Sequence, residues 1–131
     1  MGNLVIEQNS RFGFDQTVEL LLAEAEKANW NNPATHDLKQ SIAKSGKIVK
    51  PVKVIELCKP AYSGKMLELN DERIISVMMP CRISVYEKDD GRTYVALINV
   101  EKLAEDLPAN IAAVMKEASD EINSLVSKVT G

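Results

Sequence analysis

The chain has 131 residues, 45% apolar and 27% charged, a balance typical of globular domains and a length that fits one domain at roughly 100–200 residues each. Sixteen basic against nineteen acidic residues leave a net charge of −3, the wrong sign for general binding to a phosphate backbone. No run approaches the roughly 20 apolar residues of a membrane span. Met1-Gly2-Asn3-Leu4 lacks the basic and apolar regions of a signal peptide. The expected setting is therefore the cytoplasm, where the two cysteines stay reduced.

Leu4-Val5-Ile6 reads as a short strand, and Asp15 is expected to cap a helix whose Val18, Leu21, Leu22, Ala25 and Ala28 recur at helical spacing. After polar residues 29–33, Thr35, or Asp37 with Gln40 three residues on, starts a second helix carrying Leu38, Ile42 and Ala43, with Gly46 as its stop. Residues 52–58, bracketed by Pro51 and Pro60, are rich in β-formers and predict a central strand. Residues 62–69 have room for about two helical turns with Met66 and Leu67 facing inward, before the polar Asn70-Asp71-Glu72-Arg73 break. Cys81, Ile83 and Val85 then alternate with Arg82, Ser84 and Tyr86. Asp89-Asp90-Gly91 leads into a second β pattern at residues 93–98, which together predict a hairpin.

Pro108 precedes a final helix whose Ile111, Val114, Met115, Ala118, Ile122, Leu125, Val126 and Val129 form one apolar stripe. The stripe is expected to cover a sheet face, with a dimer seam as the alternative. The order β-α-α-β-α-β-β-α predicts a single layered α+β domain over residues 1–131 with one mostly antiparallel sheet.

Phosphate-binding glycine loops, nucleophile elbows, zinc-protease motifs, calcium loops and paired CxxC motifs are all missing from the sequence. The soft, reactive groups are one histidine and two cysteines: His36, Cys58 and Cys81. If the second helix runs antiparallel to the strand after it, His36 comes near the strand's far end, where Cys58 sits. If that strand pairs antiparallel with the one starting at Cys81, the two cysteines meet. Residues two apart share a face, which adds Glu56 and Met79 as further ligands. A helix N-terminus favours neutral imidazole and thiolate, the forms that bind metals. Two thiolates and an imidazole suit zinc, copper(I) with a methionine, or iron, including haem iron.

Other groups have plainer expectations. Met66, Met78, Met79 and Met115 read first as core residues, and Lys44, Lys47, Lys50, Lys53 and Lys59 as a solvated face. Arg82 beside Cys81 is expected to lower the thiol pKa or hold an anion. Trp30 and Tyr62 are candidates for lining a pocket.

Thr35-His36-Asp37-Leu38, Glu56-Leu57-Cys58-Lys59-Pro60-Ala61-Tyr62-Ser63, Met78-Met79-Pro80-Cys81-Arg82-Ile83-Ser84-Val85-Tyr86-Glu87-Lys88 and Asp90-Gly91-Arg92-Thr93-Tyr94 together resemble the cysteine-containing branch of the DUF 302 domain family. The likeness runs from Phe14 to Asn99, and Met-Pro-Cys-Arg is its most specific piece. It implies a small α+β domain, commonly a homodimer, with no established enzymatic activity. Related sequences often read Ser-Arg where this chain has Ala96-Leu97, so a second cation at that point of the sheet is missing here.

Three functional expectations follow. The first is a non-catalytic binding protein holding a soft metal or haem iron through His36, Cys58 and Cys81, with Glu56 or Met79 in support. The second is a thiol, persulfide or sulfur-carrier role with His36 as base and Arg82 beside the thiolate. The third is a structural homodimer with inert cysteines.

Overall fold

A computed structural model describes residues 3–68 and 70–131. Five strands and five α-helices follow one another as β1 (Val5–Asn9), α1 (Phe14–Lys27), β2 (Thr35–Asp37), α2 (Leu38–Ala43), β3 (Val52–Leu57), α3 (Pro60–Leu67), β4 (Cys81–Glu87), β5 (Thr93–Ile98), α4 (Val100–Ala104) and α5 (Ala109–Val126). A 3-10 helical stretch, Asn70–Met78, joins α3 to β4. The predicted order stands, with β2, the 3-10 stretch and α4 added to it. Met1, Gly2 and Leu69, the expected end of the third helix, lie outside the described residues.

The strands form one antiparallel sheet in the order β1-β5-β4-β3-β2. Alternation divides its side chains between two faces. Ile55, Leu57, Ile83, Val85, Val95 and Leu97 point to the face covered by α1 and α5, and they join Val18, Leu21, Ala25, Ala118, Ile122, Leu125 and Val126 in one core. Ile55, Ile83 and Val85 have no exposed surface at all. Each such side chain contributes about 1.5–3 kcal/mol through its removal from water. The later part of the last helix's stripe, from Ala118 to Val129, is thus spent on the sheet core. A smaller cluster of Met66, Ile75 and Ile111 packs α3 and the 3-10 stretch against the start of α5.

Local chemistry explains most boundaries and corrects two expectations. Gly13, not Asp15, is the N-cap of α1; Asp15 stands in the first turn, where its charge suits the helix dipole. Leu67, expected to face inward, is 40% exposed at the last position of α3, while Met66 is buried. The Asp37 carboxylate accepts a hydrogen bond from the Gln40 backbone N–H at 3.0 Å, which caps α2 as the Asp37/Gln40 spacing predicts. Gly91 turns the β4–β5 hairpin with φ +77°, a conformation that glycine takes without penalty. Among the described residues no helix is long and apolar enough to cross a membrane.

Candidate functional site

A cleft of about 510 Å³ lies at the end of the sheet where β3 finishes, β4 starts, β5 finishes and β1 starts. Its lining comes from both faces of the sheet: Leu57 and Leu97 from the core side, and Val5, Val54, Ala96 and Ile98 from the other. Tyr62 and Met66 of α3, Met78, Met79 and Pro80 ahead of β4, and Met115, Ala118 and Ile122 of α5 complete the walls. The volume falls within the range of small-molecule sites, and the lining is largely apolar, as such sites are. Trp30 and Tyr62 line it as expected.

Both cysteines reach this cleft. The antiparallel pairing of the two strands read from the sequence holds, but its register is one residue off: Leu57, the last residue of β3, stands opposite Cys81 of β4, and Cys58 follows one step beyond the strand. Both thiols are free, and Cys58 Sγ lies 3.5 Å from Ser63 Oγ of α3. The Cys58 backbone also exchanges two hydrogen bonds with Asn31, each 2.8 Å, fixing the chain at the point where β3 enters α3.

Arg82 does not serve the Cys81 thiol. Consecutive strand residues point to opposite faces, and Arg82 turns to its cross-strand partner Glu56, with 3.5 Å between Arg82 Nη2 and Glu56 Oε2. Although Cys81 has exposed surface at the mouth of the cleft, the protein packed around its sulfur pushes the thiol pKa up, and neighbouring Cys58 adds to the rise. The expected activation of Cys81 by its sequence neighbour is thereby reversed.

His36 is not at a helix start. It occupies the middle of β2, opposite Val54, and its Nε2 lies 3.2 Å from the same Glu56 Oε2 that meets Arg82. His36 and Glu56 are absent from the cleft lining. The six predicted residues thus divide into Cys58, Cys81, Met79 and Arg82 at the cleft, and a His36–Glu56–Arg82 trio across the outer sheet face, with Arg82 common to both. Among the described residues no group of three or more His, Cys, Asp or Glu side chains is placed to hold a metal ion. The soft donors that the cleft itself offers are the Cys58 and Cys81 thiols and the thioethers of its methionines.

One polar cluster on the cleft wall escaped the sequence reading. Glu121 of α5 receives the Lys59 ammonium at 2.6 Å, the Trp30 indole N–H at 3.3 Å and the Tyr62 hydroxyl. Lys59 also lies over the Trp30 and Tyr62 rings, 5.3 and 5.9 Å from their centroids. It is not part of a solvated lysine face. The hydrogen bond to Glu121, helped by burial, pushes the Tyr62 phenol up to about 12. Lys59 first and Tyr62 second hold the Glu121 carboxyl below its ordinary range. The cluster locks α3 and the residue 30 turn onto α5, so this wall of the cleft is preformed.

The comparisons with known proteins agree with this architecture. Residues 6–129 match the family described as Domain of unknown function DUF302. The chain is also similar to a solved structure, the crystal structure of an uncharacterized conserved protein DUF302 from Bacillus stearothermophilus. The TM-score is 0.85 at 13% identity, over 96% of this chain and 98% of that one. No curated protein matches.

Proposed function

For this chain, which belongs to the DUF302 family, we propose a non-catalytic binding role in which a small, largely apolar ligand sits in the cleft at the sheet end. The observation that carries this reading is the cleft itself, about 510 Å³ and apolar, with Cys58 and Cys81 in its wall. A bare metal ion would leave most of that space unused. A soft metal centre carried by an organic frame fits both the space and the donors, and haem iron is the form we favour, since thiolate and thioether are established types of haem ligand. Binding of the metal would displace the thiol protons. The raised pKa of Cys81 counts against Cys81 as the nucleophile of the thiol or persulfide alternative, which requires a thiolate in the free protein. A reducing cytoplasm, which would keep both thiols available, belongs to the same reading. So does a homodimer, for which the exposed Leu4 and Ile98 offer apolar contact.

Trp30 is the chain's single tryptophan and lines the cleft, so its fluorescence reports occupancy. Titration with ferric haem is expected to quench Trp30 and shift the haem absorption band, with the shifted spectrum changed in Cys58→Ser and Cys81→Ser. Unchanged fluorescence and absorption with haem remove the haem reading. Unchanged fluorescence with an uncharged apolar compound as well removes the cleft as a ligand site.

A further inference from the structure

The charges around the cleft narrow the chemistry of what it holds. Two cations contribute to its lining, Lys59 and Arg82, and among the described residues no carboxylate does. These two cations are not equivalent. Lys59 is committed: its ammonium is 2.6 Å from Glu121, its side chain is 18% exposed, and two aromatic rings flank it. Among the described residues Arg82 has one long ionic contact, 3.5 Å from one Glu56 oxygen, with its side chain 48% exposed. A guanidinium carries five N–H donors in a fork that matches a carboxylate, far more than that contact uses. His36 lies 3.2 Å from the same oxygen, so Glu56 keeps a neighbour when Arg82 turns to another anion.

Resting on the reading of the cleft as a ligand site, we infer that its ligand is an amphipathic anion, with an apolar body between α3, α5 and the sheet end and a carboxylate held by Arg82 at the rim. Arg82 is then the residue that distinguishes an acid from an uncharged molecule of the same shape. Lys59 supports the wall and leaves the head-group alone.

Octanoate and octanol share an apolar body and differ in the head-group, and Trp30 fluorescence reads both. Wild-type protein is expected to bind octanoate about tenfold more tightly than octanol, the scale of a charge-assisted hydrogen bond. In Arg82→Gln the preference falls to about one, and Arg82→Lys recovers part of it as a point charge without the fork. Equal affinities in the wild type, or a preference that survives Arg82→Gln, overturn the inference while leaving the cleft a ligand site. Binding of neither compound overturns the inference, and the cleft reading falls with it where haem also leaves Trp30 fluorescence unchanged.

Discussion

The two faces of the sheet are made by the same strands and do opposite work. On the inner face Ile55, Ile83, Val85 and Val95 are sealed under α1 and α5. On the outer face Val54, Ser84, Tyr86, Tyr94 and Ala96 remain half-buried and are crossed by polar contacts: His36 and Arg82 on Glu56, and Tyr86 and Lys88 on Glu7. Core packing and surface polar contacts are thus separated by one residue step along a strand. The cleft lies where the two regimes meet, which is why it has apolar walls and a charged rim.

The sharpest test of that division is a pair of adjacent substitutions. Ile83→Ala, at a position with no exposed surface, should cost about 2–5 kcal/mol in denaturant unfolding. Ser84→Ala, one residue on and facing the other way, should stay within about 0.5 kcal/mol. Comparable losses at both would break the comparison.

A smaller effect is expected where the polar contacts fasten the cleft wall. The Glu121 carboxyl is held below its ordinary value of 4.5 by Lys59 first and Tyr62 second. A group depressed in this way stabilises the fold above its unfolded value, and the contribution is lost as pH falls through the folded one. Wild-type protein should therefore melt above Glu121→Gln at about pH 7, with the gap shrinking as pH falls below 4.5. A gap independent of pH would mean that the carboxylate charge contributes nothing.

The smallest effect concerns reactivity rather than folding. Burial first and Cys58 second raise the Cys81 thiol above 9.0. Iodoacetamide should therefore modify Cys81 more slowly at neutral pH than it modifies a free thiol, with the rate climbing as pH rises past 9. Cys58→Ser, by removing the second cause, should speed the reaction at Cys81. Intact-mass kinetics would read both, and fast labelling at neutral pH would contradict the assigned environment.

Much of this arrangement was legible in the sequence because period and register carry it. Alternation marked β4 and β5, Asp90-Gly91 marked their turn, and the stripe from Ile111 to Val129 marked α5 as a core helix. That Cys58 and Cys81 reach one cleft followed from antiparallel pairing, although Leu57 rather than Cys58 stands opposite Cys81. The position of His36 did not, because Thr35-His36-Asp37 is too short to show a period. Asp37 also carries a genuine helix-cap signal that hides the strand ending on it. Only pairing with β3 makes those residues a strand, and that pairing turns His36 toward Glu56. Glu121 was illegible for another reason: on the sequence it is one more acid on the polar side of a helix, and nothing nearby in the chain announces Lys59 or Tyr62 as its partners. The expectation that Arg82 lowers the Cys81 pKa failed through treating sequence neighbours as spatial ones, which the pleat of a strand forbids.

The pairing of β1 with β5 has a consequence for how the protein is made. The backbone of residues 5–9 pairs with residues 94–98, and the Ser10 and Arg11 N–H groups bond to the Thr93 and Val129 carbonyls. Synthesis proceeds from the N-terminus, so β1 leaves the ribosome well before the strand it pairs with. Until the two pair, β5 has an open edge, and Val5 and Ile6 have no sheet to lie against. In the cell that waiting interval, more than the finished fold, is when this chain is most open to a wrong partner.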